Sequence, residues 1–140
     1  MYNSILLPVD EDEGVGPALE HAEELAEKFN AEIHLLNVVD VRDSFDGIDW
    51  KQVMEETEEH RRQELDNLRE KLENKGLKAS KEVRKGVPFK EINRVAEEKE
   101  IDLVVMPTHN RKGMERILLG STTEKVLRTS EVPVLTVSLE

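Results

Sequence analysis

The chain has no cysteine. That excludes a disulfide framework, a thiolate zinc site and a cysteine nucleophile. No apolar run approaches the ~18 residues of a transmembrane helix, so no membrane partner is expected. The first residues, Met1-Tyr2-Asn3-Ser4, carry neither the basic region nor the cleavage site of a secretory signal. The expectation is a soluble, cytoplasmic protein with a single domain over residues 1–140. A surplus of positive charge is missing too: 20 Lys and Arg stand against 31 Asp and Glu, a net charge of −11. Nucleic-acid binding relies on cations that neutralise phosphates, so no nucleic-acid partner is expected.

Chemical signatures are missing as well. No glycine-rich loop leads into Gly-Lys-Ser/Thr, so there is no Walker A loop. Gly14-Val15-Gly16-Pro17-Ala18-Leu19 opens like a dinucleotide fingerprint, but Leu19 stands at the third glycine. No Gly-x-Ser-x-Gly elbow marks a serine hydrolase. The four histidines do not converge by spacing. Glu56, His60 and Glu64 share a helix face, yet that helix is rich in Glu throughout, and no metal site is expected. His21 and His34 stand alone and read as packing or surface residues. Asp10 and Asp102 flank strand ends, a placement too common to imply acid–base catalysis.

What is present is a regular alternation of patterns. Short apolar runs at 4–9, 31–39, 77–84, 101–106 and 132–137 read as strands, the third of them weakly alternating and edge-like. Apolar residues at intervals of three and four mark helices over 17–29, 50–74, 89–99 and 117–129. Pro17 suits a first helical turn and Gly76 a helix stop. A βαβαβαβαβ order implies a parallel sheet covered on both faces, a doubly wound α/β fold. Such sheets bind ligands beyond the carboxyl ends of their strands, so the loops after Val9, Val39, Arg84 and Met106 are the places to search.

One of these stands out. Met106-Pro107-Thr108-His109-Asn110-Arg111-Lys112-Gly113 begins a polar loop that runs from Pro107 to Arg116 and reaches a helix start at Gly120-Ser121. From Pro107 to Arg128 there are five basic residues and two acidic ones, a local cationic patch on an acidic chain. Free N–H groups at a helix start make a natural phosphate seat, Gly120 lets an anion approach, and Ser121, Thr122 and Thr123 add hydroxyls. An ordinary loop with an N-cap serine fits the same residues, and ordinary helix-surface charge fits the patch. The residues alone leave both readings open.

The stretch from Pro107 to Ser121 resembles the Gly-x2-Gly-x9-Gly-Ser/Thr motif of the universal stress protein family, with 111–119 as the nine-residue spacer. Ile5-Leu6-Leu7-Pro8-Val9-Asp10, Leu35-Leu36-Asn37-Val38-Val39-Asp40, Gly86-Val87-Pro88 and the ending around Val132-Pro133-Val134-Leu135 are similar to the family's other landmarks, and the resemblance covers essentially the whole chain. It implies a three-layer α/β/α fold with a five-stranded sheet in the order 3-2-1-4-5. It also implies ATP or another adenine nucleotide, with Mg2+ as a companion, bound between strands 1 and 4. By position, Asp10 would bond the ribose, Pro8, Val9, Val38 and Met106 would wall the adenine, and Gly120, Ser121 and Thr122 would meet the phosphates. Pro107, His109 and Asn110 fall in the first half of the motif. Pro107 and Asn110 occupy its first two glycine positions, and proline lacks an N–H. The family further implies a homodimer through the last strand, 132–137. A stress protein that binds no nucleotide and acts through protein contacts is the alternative. An enzyme of the related adenine-nucleotide hydrolases ranks last, since their pyrophosphatase loop and His-Ile-Gly-His motif are both missing. No catalytic residue is expected, and at most slow ATP hydrolysis.

Overall fold

Ile5, Leu6 and Leu7 are consecutive and each is wholly buried. Successive side chains of a strand point to opposite faces, so this strand must be covered on both sides. The computed structural model, which describes residues 1–9, 16–42, 50–108 and 119–138, shows how. Among these residues the chain forms β1 (Ser4–Pro8), α1 (Gly16–Phe29), β2 (Glu32–Asp40), α2 (Trp50–Asn74), β3 (Lys78–Gly86), α3 (Pro88–Glu98), β4 (Leu103–Thr108), α4 (Ser121–Thr129) and β5 (Val134–Ser138). The five strands are parallel and lie in the order β3-β2-β1-β4-β5. This is the doubly wound α/β arrangement that the alternation and the resemblance imply.

The period of two along the strands divides the core. Ile5, Leu7, Ile33, Leu35, Leu103 and Val105 face α1 and the C-terminal half of α2. Leu6, Leu36, Val104 and Met106 face α3 and α4. Helix α1 meets the sheet through Ala18, Ala22 and Ala26, a stripe at spacing four whose small side chains allow close approach.

Three helices end in one way. Leu77 N–H donates to the Leu72 carbonyl at 3.1 Å and Gly76 N–H to Glu73 at 2.9 Å, with Gly76 left-handed at φ 83°. This is the Schellman pattern, with glycine where a side chain would be strained. Asn30 (φ 53°) and Glu100 (φ 51°) hold the matching positions after α1 and α3.

The pattern-based boundaries need correction: β3 ends at Gly86 rather than Arg84, β5 spans Val134–Ser138 rather than 132–137, and two further shifts bear on the cleft. β4 runs on through Pro107 and Thr108, where a polar loop was expected, because both stay in register with Val137 and Ser138 of β5. The helix expected over 117–129 begins only at Ser121: Gly120 is its extended N-cap, at φ −62° and ψ 156°. Residues 117 and 118 lie outside the described residues. Leu119 and Leu127, expected on the apolar face, are each 40% exposed. His34 is not solitary either: it is bonded to Ser80 and Glu82 of β3.

Candidate functional site

β1 and β4 are paired only where they begin, Ile5 beside Leu103 and Leu6 beside Val104. Both then continue with other neighbours, β1 along β2 to Pro8 and β4 along β5 to Thr108. The parting has a cause in the sequence. Backbone N–H groups alternate sides along a strand. Val9 N–H donates to the Leu36 carbonyl of β2 at 2.7 Å, so position 8 faces β4. Val104 N–H donates to the Pro133 carbonyl at 3.0 Å, so position 107 faces β1. Both positions are proline and have no N–H to give. The ladder therefore stops, at the point where strand order reverses and doubly wound sheets take their ligands.

A cleft of about 450 Å³ opens there, within the roughly 300–1,000 Å³ of small-molecule sites. The structure gathers Pro8, Val9, Val38, Met106, Pro107, Gly120, Ser121 and Thr122 around it. Asp10, His109 and Asn110, the remaining candidates, lie outside the described residues.

Helix α4 points its N-terminus at this cleft. Its first backbone bond runs from Glu124 N–H to the Gly120 carbonyl at 2.9 Å, so the N–H groups of Ser121, Thr122 and Thr123 have no acceptor within the helix. The helix dipole adds partial positive charge there, and Gly120 interposes no side chain. Ser121 is exposed and Thr122 half-buried. Thr123, expected to offer its hydroxyl outward, is buried and donates it to the Pro107 carbonyl at 3.3 Å. It fastens α4 to the exit of β4 instead.

Asn37 was not among the sequence candidates and sits in the cleft wall. It is 2% exposed, and its Nδ2 donates to the Val9 carbonyl at 2.8 Å, tying the ends of β1 and β2 just ahead of Asp10. Its Oδ1 is buried and has no hydrogen-bond partner among the described residues. An unmet buried acceptor costs about 1–3 kcal/mol. In a cleft wall it is an acceptor that an incoming donor can meet.

Asp40 and Arg61 are the charged residues among the described lining. Arg42 forks onto Asp40, Nη2 to Oδ2 at 2.8 Å and Nε to Oδ1 at 3.0 Å, which holds the carboxyl below its ordinary pKa. The acid at the rim is thus already paired with a cation. The other missed wall is α2: Trp50, Val53, Met54, Thr57 and Arg61 line one side. At 25 residues, α2 is about 37 Å long, against about 30 Å for a nine-residue strand. Its apolar pattern breaks between Met54 and Leu65, and that break was the available signal. The C-terminal half serves the core and the N-terminal half serves the cleft. Among the described residues no three His, Asp or Glu side chains gather as a metal site, and no helix is long and apolar enough to cross a membrane.

The universal stress protein family model matches residues 1–138. The universal stress protein MJ0531 of Methanocaldococcus jannaschii is 37% identical, over 98% of this chain and 82% of that protein. A second protein of that organism, MJ0577, is 32% identical over 98% of this chain and 95% of its own length. The solved structure of MJ0577 superposes with a TM-score of 0.81, covering 100% of this chain and 98% of that one. Two remoter solved structures share the fold: a universal stress protein in complex with cAMP (19% identity, TM-score 0.63) and one from Archaeoglobus fulgidus in complex with dAMP (17%, 0.66). The chain belongs to the universal stress protein family.

Proposed function

We propose that this universal stress protein binds an adenine nucleotide, ATP or a close relative, in the cleft between β1 and β4. Through that cleft it acts as a nucleotide-responsive module. The observation that carries the reading is the parted sheet, walled by Pro8 and Pro107 and met by the N-terminus of α4.

Each part of such a ligand has a chemical counterpart in the cleft. Pro8, Val9, Val38 and Met106 offer apolar surface to the faces of a base. The Oδ1 of Asn37, without a partner among the described residues, suits a donor such as an exocyclic amine. The N–H groups that open α4 suit phosphate oxygens. The resemblance gives Asp10 the ribose. Mg2+ would be held by the phosphates themselves, since the described residues gather no acidic cluster. The relatives solved with cAMP and dAMP lend the ligand class, although at their distance they share only the fold.

Net charge does not forbid an anion here. Screening limits interactions between exposed charges to about 8 Å at physiological salt, so the pairing of Asp40 and the dipole of α4 outweigh distant carboxylates. Trp50 is the single tryptophan and lines the cleft, so its fluorescence reports occupancy. Titration of ATP, AMP and cAMP, with and without Mg2+, should change that fluorescence and release or absorb heat saturably. No saturable response to any of the three would remove the nucleotide reading. It would leave a stress protein working through protein contacts, the reading that the missing N–H at Pro107 favours.

The same proposal extends to assembly. β5 is a sheet edge, and Val134 to Val137 carries no charge. An apolar edge invites pairing, and pairing with a second copy across a two-fold axis closes a homodimer.

A further inference from the structure

At the opposite end of the sheet from the nucleotide cleft, three side chains form a chain of bonds. His34 of β2 stands in register with Ser80 of β3 and is 8% exposed. Its Nδ1 lies 2.5 Å from Ser80 Oγ, and its Nε2 lies 3.2 Å from Glu82 Oε2. Residues two apart on a strand share a face, which brings Ser80 and Glu82 to the same imidazole. Glu82 is held in turn by Arg84, whose Nε donates to Oε1 at 2.5 Å. Arg84 also pairs with Glu98 and, at 3.5 Å, with Glu91, both on α3.

The bonding settles the tautomer. Burial alone would raise the pKa of Glu82, but the hydrogen bonds from Arg84 and His34 outweigh it and keep the group a carboxylate. A carboxylate only accepts, so in the uncharged ring Nε2 carries the hydrogen and Nδ1 keeps its lone pair. Ser80 must then donate its O–H to Nδ1. A hydroxyl, a neutral imidazole base and a carboxylate that orients it are the parts of an activated nucleophile.

The network borders a second cavity of about 320 Å³, lined also by Ser4, Glu32, Lys81, Lys99 and Ile101. Ser80 is half-buried, so its hydroxyl is within reach while the base behind it is nine-tenths covered. The Lys99 ammonium at the rim is exposed and in no ion pair among the described residues. β3 is an edge strand, whose outward N–H groups lie outside the ladder and suit a developing oxyanion.

We infer that Ser80 is an activated nucleophile that small polar acyl esters acylate in this second cavity, with His34 as base and Glu82 as its positioning residue. Ser80 Oγ attacks the ester carbonyl carbon while its proton passes to His34 Nδ1. The bond from that carbon to the leaving alkoxide breaks, and His34 returns the proton to the alkoxide. An acyl-serine and an alcohol result. Water attacking the acyl carbon through the same base releases the acid and restores the hydroxyl.

The test uses p-nitrophenyl acetate as probe, with nitrophenolate release followed by absorbance and the acetyl group located by mass spectrometry. One acetyl per chain is expected on Ser80, and none there in Ser80→Ala. His34→Gln should slow acylation roughly 100-fold, and Glu82→Gln should slow it less, with both retaining the parent's circular dichroism. Acetyl groups on lysines alone, or Ser80 labelled as fast in folded His34→Gln as in the parent, would overturn the inference. Should His34→Gln not fold, Ser80→Ala decides: nitrophenolate release as fast as the parent's overturns the inference equally.

Discussion

Replacing Pro107 by alanine adds one N–H at a known place. By the alternation along β4 it faces β1 across the parted sheet, into the cleft. Two effects follow, of opposite sign. Stability should fall, because proline restricts the unfolded chain at a position whose native backbone it fits: about 0.4–1 kcal/mol, or roughly 1–4 °C in Tm for a chain of this size. The β4–β5 ladder is untouched, since position 107 directs its N–H away from β5. Nucleotide affinity should rise, because the new donor can reach a phosphate oxygen. A hydrogen bond to a charged group contributes about 1.5–3 kcal/mol, a Kd lower by roughly 10- to 100-fold. Adding Asn110→Gly should not reverse the gain. Calorimetric titration with ATP beside a thermal melt measures both effects. The reasoning fails if affinity is unchanged, since the absent donor would then not limit binding. It fails differently if affinity drops: the new N–H would have closed on the carbonyl of Pro8 and zipped the strands together.

Three further outcomes are expected. Gly76→Ala should lower stability by about 1–2 kcal/mol in chemical denaturation, because its φ of 83° strains an L residue although its Cβ would meet nothing within 4 Å; a cost near zero would mean the Schellman end has relaxed. Leu135→Lys should shift the protein toward monomer by light scattering at micromolar concentration, and a parent already monomeric there would refute the β5 pairing. Arg84→Met should move the onset of acid unfolding to higher pH. Arg84 holds the folded pKa values of Glu82 and Glu98 below their ordinary range, so their contribution is present above the unfolded value of roughly 4.3 and is lost as pH falls through the folded one. Without the arginine that loss comes earlier, and superimposable acid-denaturation curves would show that the pairing adds nothing.

The fold was largely written in local patterns. The bounds of α2 agree at both ends, because Gly76 stops it and Trp50 begins its apolar pattern. β1 and β4 were legible as unbroken apolar runs, since both faces of the sheet are covered. The start of α4 was not, because Leu118 and Leu119 continue a helical spacing upstream of Gly120, and spacing does not register a residue whose backbone is extended. Asn37 and the N-terminal half of α2 were missed for another reason. A single asparagine in a strand has no pattern, and the reach of a long helix past its sheet appears only when the elements are stacked. His34 looked solitary because its partners lie 46 and 48 residues away, joined to it by strand register alone.

The two prolines show where local reading stops and topology begins. Pro8 reads as the end of a strand, and Pro107 as a substitution in a motif. Neither reading connects them. Sheet order makes them opposite edges of one gap, and the alternation of N–H groups aims both absent donors into it. A glycine at position 107 would offer a donor and a flexible exit; proline offers neither, but it keeps β4 extended to Thr108 and keeps β1 from closing on it. The carbonyl of Pro107 is then fixed well enough for Thr123 to bond it and hold the start of α4 over the cleft. The departure from the motif therefore trades one possible ligand contact for a rigid opening. Whether a ligand gains or loses by that trade is what the alanine at position 107 measures.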